Sequence, residues 1–219
     1  GIFNYAADKP VMAIIHRTGS AANLTDEEIV ATHLLALEAG ATMCDILGDM
    51  FDPSPMELSR KPAAVDGQRR LIDQIHRMGG EVLLSSHTWV FMTAEQTVEH
   101  AKELESRGAD MVKIAMCAHS EEEMAEVYKT TVLLRQELKI PFLHVCMGQH
   151  GKLHRAIAPV LGSALALCVL KYTPGSHREQ VLLRATKAVF DNLDWTIARN
   201  ELLGTRLARK EGSAHETKK

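Results

Sequence analysis

The stretch Gly108-Ala-Asp-Met-Val-Lys-Ile-Ala-Met116 is an apolar run with a lysine in its middle. Within it, Asp110–Met116 is apolar at nearly every position rather than at alternate ones, which is typical of a strand buried on both faces. Amphipathic, helix-like patterns lie before and after it. The stretch therefore predicts a central strand of a parallel sheet, with one helix preceding it and another following it.

Five further apolar runs have the same character, which brings the number of strand candidates to six. Their starts lie 23 to 39 residues apart, which is the room that a strand-loop-helix-loop unit takes. The other five are Val11–His16, Thr42–Leu47, Glu81–His87, Pro141–Met147 and Ala164–Leu170. Six strands alternating with six helices predict an α/β protein with a parallel sheet.

Three helices carry clear start signals. Thr25, Thr93 and Ser120 are each followed three residues later by Glu or Gln, the pattern of a capping box. The weaker helical patterns are Ala64–Met78, Lys152–Val160 and Glu179–Leu193.

The last part of the chain differs from the rest. Trp195–Arg209 has helical spacing, and Lys210–Lys219 is polar and is predicted to be disordered. We therefore expect a β/α domain over residues 1–193 and an extra C-terminal segment over residues 194–219.

Composition and charge exclude several classes of protein. The 219 residues carry a net charge of -3, so the chain lacks the excess of basic residues that is typical of nucleic-acid-binding proteins. No apolar run approaches the roughly 20 residues of a membrane span, and residues 1–20 lack the pattern of a signal peptide. The four cysteines form no CxxC pair and are interpreted as reduced, buried thiols. We expect a cytoplasmic protein with no nucleic-acid or membrane partner.

Lys113 is the most informative single residue, because a charged ammonium inside an apolar strand is costly unless it is paired or neutralised. A neutral lysine amine is a nucleophile toward ketones and aldehydes, with which it forms a Schiff base. The alternative is a lysine at a strand end that reaches water or a carboxylate. The strand alone leaves both interpretations open.

His87 ends the preceding predicted strand. Because the carboxyl ends of parallel strands share one edge of a sheet, His87 and Lys113 are expected on the same rim. A histidine there is suited to general acid–base catalysis. A hydrogen-bonded structural histidine is the alternative.

Two arginines are candidates for binding an anion. Arg155 follows a glycine-punctuated loop that leads into a helix, an arrangement suited to a carboxylate or phosphate. Arg17 follows the first strand and is either a second anion clamp or part of an ordinary salt bridge. The segment around Arg155 also offers a weaker interpretation as a zinc site, with ligands from His144, Cys146, His150 and His154. Short motifs of this kind often occur by chance, and we expect no metal.

Taken together, these positions resemble the type I 3-dehydroquinate dehydratases, the Schiff-base enzymes of the shikimate pathway. The matching elements occur in that family's order from about residue 9 to residue 193. They are Lys9-Pro, His16-Arg17-Thr18, Ser85-Ser86-His87, Gly108-Ala-Asp-Met-Val-Lys-Ile-Ala115, Met147-Gly148 with Gly151 and Arg155, Gly162-Ser163-Ala164, and Pro174-Gly175.

The resemblance implies a (β/α)₈ TIM barrel and a hydro-lyase. Lys113 would form an imine with the ketone of 3-dehydroquinate, and His87 would act as the acid and base that eliminates water to give 3-dehydroshikimate. Arg155 would hold the substrate carboxylate, and Arg17 would line the pocket. The remaining residues assigned to the substrate site are Asp45, Thr173 and Ser176. No cofactor is implied, and the sequence is compatible with a homodimer.

The chain departs from this family at several positions. The usual Glu-Gly-Gly after Arg17 is replaced by Gly19-Ser-Ala-Ala-Asn23, and Leu47 stands where a glutamate is usual. The closing loop reads Tyr172-Thr-Pro-Gly-Ser176 instead of Ser-Ala-Pro-Gly-Gln. These changes predict Schiff-base chemistry with an altered or weakened preference among cyclic keto acids.

The six strands match the family's third to eighth, and six strands do not close an eight-stranded barrel. Either an N-terminal part is missing from this chain, or another chain completes the sheet, or the fold is remodelled. Two alternatives to the dehydratase therefore stay open. One is a related Schiff-base lyase or aldolase that acts on another keto acid, and the other is a catalytically silent barrel that binds a carboxylate.

Overall fold

The computed structural model describes residues 9–176 and 178–192. A five-stranded parallel sheet with strand order β1-β2-β3-β4-β5 forms the centre of the fold. The strands are β1 (Met12–Ile14), β2 (Met43–Leu47), β3 (Glu81–His87), β4 (Met111–Cys117) and β5 (Phe142–Met147). Each strand lies beside the one before it in the chain, as in β/α barrels, whereas the strand order reverses in a doubly wound sheet. The predicted parallel sheet is confirmed.

Helices alternate with these strands, as predicted. They are α1 (Asp26–Glu38), α2 (Pro62–Arg77), α3 (Ala94–Glu105), α4 (Glu121–Glu137), α5 (Gly151–Ile157) and α6 (Leu183–Asn192). Thr25 closes a complete capping box with Glu28 at the start of α1, and Ser120 accepts a hydrogen bond from the backbone N–H of Glu123 at the start of α4. No helix within the described ranges is both long enough and apolar enough to cross a membrane.

The sixth predicted strand, Ala164–Leu170, is wrong in its extent. Only Cys168–Val169 (β6) is a strand, and it pairs with Val181–Leu182 (β7) in a separate two-stranded parallel sheet. Leu170 is 68% exposed. The run is apolar enough for a buried strand, but its backbone does not pair over its full length, and apolar composition alone does not supply a pairing partner.

The first predicted strand, Val11–His16, is shorter than expected at both ends. At its start, the backbone N–H of Val11 donates to the side-chain hydroxyl of Thr42, and the backbone N–H of Thr42 donates to the carbonyl of Val11.

The predictions of a helix over Trp195–Arg209 and of a disordered segment over Lys210–Lys219 lie outside the described residues, so the division at residue 193 stays a prediction.

The chain forms two compact units. The first contains residues up to Thr88 together with Glu99–Ile114, and the second contains Trp89–Val98 and the residues after Ile114. In the first unit, β2 pairs with both β1 and β3, with Ile14 opposite Asp45 and Asp45 opposite Leu83. The apolar residues of β2 and β3 that pack in this core are 0 to 2% exposed.

The second unit contains a buried cluster of two histidines and a threonine. Thr131 Oγ1 lies 3.0 Å from the carbonyl oxygen of Val127, 2.9 Å from His144 Nδ1 and 2.9 Å from His154 Nε2. Because the hydroxyl donates to Val127, both imidazoles donate their N–H to it, and the opposite ring nitrogens are buried without a hydrogen-bond partner among the described residues. Burial lowers the pKa of both rings, which favours their neutral form.

We expect the free energy of unfolding to fall as the pH is lowered from about 6.5 to 4. Burial lowers the pKa of His33, His100 and His154 to about 4 and that of His144 well below its ordinary value. The unfolded chain binds protons on these rings below its ordinary pKa of about 6.5, while the folded chain does not. At pH 5 each ring should cost about 2 kcal/mol relative to neutral pH.

Urea unfolding at pH 7.5 and pH 5.0 measures this loss. His154→Leu should lower the loss by about 2 kcal/mol, because one titrating ring is removed. The control is His119→Gln, which changes an exposed histidine and should leave the pH dependence unchanged. An identical pH dependence in His154→Leu and in the unmodified chain would contradict the prediction.

Candidate active site

Lys113 on β4 forms a buried ion pair with Asp45 on β2. Its Nζ lies 2.9 Å from Asp45 Oδ2, and the two residues are 6% and 0% exposed. Of the two interpretations of Lys113, the structure thus shows the one in which the lysine contacts a carboxylate. This contact is also what permits an ammonium group to be buried, because an unpaired charge in this environment would be far more costly.

Asp45 stays ionised despite its burial. Burial by itself raises the pKa of this carboxyl group, but the contact with His16 and the charge of Lys113 more than offset that effect, so the pKa lies well below its ordinary value. Asp45 is a predicted substrate contact, and in the structure its two oxygens face Lys113 and His16. It is therefore a fixed negative charge between two basic groups.

His16 connects this ion pair to the second predicted catalytic residue. Its Nε2 lies 3.1 Å from Asp45 Oδ1, without the alignment of a regular hydrogen bond. The His16 ring also contacts the His87 ring edge-on, with 4.7 Å between the ring centroids. The structure therefore brings together Lys113 and His87 through Asp45 and His16, all within the first unit.

His87 ends β3 and is held by a carboxylate from a distant loop. Glu57 Oε2 lies 2.8 Å from the backbone nitrogen of His87 and 2.7 Å from its Nδ1. A carboxylate only accepts hydrogen bonds, so Nδ1 carries a proton, and in the neutral ring this leaves the lone pair on Nε2. This is the tautomer that a general base requires at Nε2.

Arg17 forms a salt-bridge network. Its Nε and Nη2 donate to Asp26 at 2.7 and 2.9 Å, and its Nη1 donates to Asp49 at 2.7 Å. Burial lowers the pKa of the guanidinium, but the two carboxylates outweigh this effect and raise it above its ordinary value. The structure thus shows the salt-bridge alternative for Arg17, and its role in the substrate pocket stays a prediction.

Arg155 lies on α5 in the second unit. Its Nε donates to the carbonyl oxygen of Cys146 at 2.9 Å, which fixes the direction of the side chain. Burial lowers the pKa of Arg155, although it stays a cation in any protein environment. At the start of α5 the backbone of Gly151 lies close to the backbone of Cys146, and a Cβ atom at Gly151 would overlap the carbonyl of Cys146.

Thr173 and Ser176 form a tight turn with Pro174 and Gly175 between them. The backbone N–H of Ser176 donates to the carbonyl of Thr173, and the two side-chain oxygens are 2.9 Å apart. Gly175 has a φ of 86°, which favours glycine at this position of the turn. Like Arg155, these predicted substrate contacts lie in the second unit, and their role stays a prediction.

Sequence reasoning missed Glu57 as a functional residue and noted His16 only within a motif. Glu57 stands in a loop without a recognisable pattern, more than 20 residues from either catalytic candidate. The weaker zinc interpretation took its ligands from His144, Cys146, His150 and His154, and in the structure the rings of His144 and His154 contact each other. Among the described residues, no three His, Cys, Asp or Glu side chains are grouped so as to hold a metal ion.

The fold and this arrangement define a parallel β/α protein with a lysine-centred site. The family model of the type I 3-dehydroquinases matches residues 3–191, and the chain belongs to that family. The resemblance drawn from the sequence motifs is thereby confirmed.

Two curated relatives are similar to parts of the chain. The 3-dehydroquinate dehydratase of Alkaliphilus oremlandii is 30% identical over 105 residues, which are 47% of this chain and 41% of the relative. That of Klebsiella pneumoniae is 25% identical over 151 residues, which are 68% of this chain and 55% of the relative. The chain thus spans about half the length of these relatives.

The crystal structure of the 3-dehydroquinate dehydratase from Geobacillus kaustophilus has a similar fold. The TM-score is 0.72 at 19% identity, and the match covers 87% of this chain and 70% of that one. This likeness confirms the predicted fold class, a parallel β/α fold of the TIM-barrel type.

Proposed function

We propose that this chain carries the Schiff-base machinery of a 3-dehydroquinate dehydratase, a hydro-lyase that converts 3-dehydroquinate to 3-dehydroshikimate. The observation that carries the proposal is the buried Lys113–Asp45 pair, which is joined through His16 to His87. A lysine amine and a histidine base in one connected site are the two groups that this elimination requires.

In the proposed reaction, Lys113 first gives up its ammonium proton to water, and its amine attacks the ketone carbon of the substrate to form a carbinolamine. A proton returned from water to the carbinolamine hydroxyl lets this group leave as water, which gives a protonated imine. His87 Nε2 then removes a proton from the carbon adjacent to the iminium carbon, and the electron pair is held as an enamine. The enamine expels the hydroxyl group, which takes the proton from His87 and leaves as water. Hydrolysis of the imine releases the enone.

The electron sink of this reaction is the imine itself, so the proposal needs no dissociable cofactor. We further propose that Arg155 binds the substrate carboxylate, since a guanidinium pairs with a carboxylate through two parallel hydrogen bonds. We propose substrate-binding roles also for Arg17 and Asp45 in the first unit and for Thr173 and Ser176 in the second unit. The proposed reaction belongs to the shikimate pathway and hence to aromatic amino acid biosynthesis, and we propose with it a cytoplasmic location and a homodimer.

A second candidate function is supported by the closing loop. The side chains of Thr173 and Ser176 contact each other there, and the loop differs from the Ser-Ala-Pro-Gly-Gln pattern of the family. A changed loop favours a related Schiff-base lyase that acts on another small or cyclic keto acid. A silent carboxylate-binding protein is the third candidate.

The test combines turnover with chemical trapping. The chain is incubated with 3-dehydroquinate, and the absorbance of the enone product is followed; a rise is expected. Borohydride reduction in the presence of substrate should leave a stable adduct on the peptide that contains Lys113. An adduct with a different ketone but not with 3-dehydroquinate would support the second candidate. If the chain shows no turnover and forms no adduct with any keto acid, the Schiff-base proposal is overturned. Ligand-dependent thermal stabilisation would then identify a binding protein.

A further inference from the structure

The mechanism proposed above uses His87 as the base but gives no step to Glu57, the carboxylate that contacts it. Glu57 lies in the loop of residues 48–61 between β2 and α2, and its Oε2 accepts hydrogen bonds from both the backbone N–H and the Nδ1–H of His87. The side chains of Glu57 and His87 are 27% and 19% exposed, so water screens the pair only in part. One carboxylate oxygen therefore holds both the backbone and the ring of the proposed base.

The backbone of Glu57 has an unusual conformation. Its φ is 44°, in the left-handed region that residues other than glycine seldom adopt. A residue stays in this region only when its surroundings hold it there. In this loop, Ser86 donates to the carbonyl of Met56 at 2.8 Å, and the backbone N–H of Glu57 donates to the carbonyl of Ser54 at 3.0 Å.

A buried arginine anchors both ends of the same loop. Arg107 is 2% exposed and donates to the carbonyl oxygens of Gly48 and Ser59 and to the side chain of Gln68. The loop also packs closely on itself, because a Cβ atom at Gly48 would lie 2.7 Å from the carbonyl oxygen of Glu57. This part of the first unit is built to hold the Glu57 side chain in one place.

We propose that Glu57 is the positioning residue of His87. By accepting the Nδ1–H, it selects the tautomer whose Nε2 lone pair takes the proton from the carbon adjacent to the iminium carbon, and its negative charge stabilises the imidazolium that forms. Within the described part of the chain, His87 also meets His16, whose ring touches it, and beyond His16 lies the Asp45–Lys113 pair. The catalytic effect of Glu57 rests on the proposed function, whereas its control of the tautomer does not.

Glu57→Gln tests the proposal, because glutamine keeps the size of the side chain but removes its charge. Its amide oxygen can accept the same two hydrogen bonds from His87, so glutamine removes only the negative charge that stabilises the imidazolium. We expect kcat to fall by roughly 10- to 100-fold with little change in KM. Borohydride trapping on Lys113 should be retained, and the acidic limb of the pH profile of kcat should move to lower pH.

Asp110→Asn is a matched control in the same unit. Asp110 also accepts hydrogen bonds from a histidine ring, that of His76 at 2.7 Å, and from a backbone N–H, that of Val82 at 2.9 Å. The substitution therefore removes an equivalent His–carboxylate pair outside the proposed site, and kcat should stay within about twofold of the unmodified chain.

Nitrogen-15 NMR of the histidine rings provides a readout that needs no turnover. His87 should be in the Nδ1–H form in the unmodified chain and in Glu57→Gln, and it should populate the Nε2–H form in Glu57→Met, whose side chain offers the Nδ1–H no oxygen acceptor. If Glu57→Met does not fold, Glu57→Asp, which withdraws the carboxylate by one methylene, is measured in the same way and should populate both forms.

An Nδ1–H tautomer that is unchanged in Glu57→Met, or an unchanged kcat of Glu57→Gln in an active enzyme, would overturn the role of Glu57. An unmodified chain that neither turns over 3-dehydroquinate nor forms an adduct with any keto acid would instead overturn the proposed function. In that case the NMR result still decides whether Glu57 positions His87.

Discussion

Replacing Lys113 with methionine is expected to abolish both turnover and borohydride trapping. Without the amine no imine forms, so the elimination loses its electron sink, and we expect kcat to fall by roughly 10⁴-fold or more. Methionine fits the buried position, but it removes the cation opposite Asp45 and leaves His16 as the basic group facing that carboxylate. Breaking a buried pair in this way should cost about 3 kcal/mol of stability, so circular dichroism and urea unfolding accompany the assay.

Lys129→Met is the matched control for this substitution. Lys129 is 50% exposed and pairs with Glu95 and Glu126, and none of these three residues has a role in the proposed mechanism. Its removal should leave both turnover and the Lys113 adduct unchanged. A borohydride adduct that persists in folded Lys113→Met would show that a different amine forms the imine.

Replacing His87 with glutamine is expected to separate imine formation from elimination. Glutamine retains an amide N–H for Glu57 but is not a base, so kcat should fall by roughly 10²- to 10⁴-fold. The amine of Lys113 is untouched, so the substrate imine should accumulate and borohydride trapping should persist or increase. Stopped-flow absorbance for the product and mass spectrometry of the Lys113 peptide measure the two steps.

His76→Gln is the control for His87→Gln, because His76 also pairs with a carboxylate, that of Asp110, outside the proposed site. It should leave kcat within about twofold. Equal losses of trapping and turnover in His87→Gln would mean that His87 acts in imine formation rather than in the proton transfer that follows it.

Much of the fold is predictable because it depends on patterns that are local in sequence. The apolar run around Lys113 and the capping residues Thr25 and Ser120 lie where the structure has β4, α1 and α4. The last predicted strand failed over most of its length, because strand formation requires a pairing partner as well as apolar residues. The apolar run of Ala164–Leu170 pairs only at Cys168–Val169.

The candidate site was predictable in part for the same reason. Lys113 and His87 are recognisable because each is a polar residue at an unusual place in an apolar strand, and Asp45 occupies an equivalent place on β2. The salt bridges of Arg17 depend on Asp26 and Asp49, which reach it from separate segments of the chain. Sequence spacing does not distinguish such a network from a free anion clamp.

The sequence by itself determined the parallel β/α class, the family and the two residues proposed to carry the chemistry, because periodicity, capping and strand-end motifs are local properties. The tertiary structure alone decided which groups surround these residues. It pairs Lys113 with Asp45 across 68 residues and brings Glu57 to His87 across 30. The physical reason is that an ion pair or a histidine–carboxylate contact depends on distance and burial, which arise only when separate segments of the chain fold together.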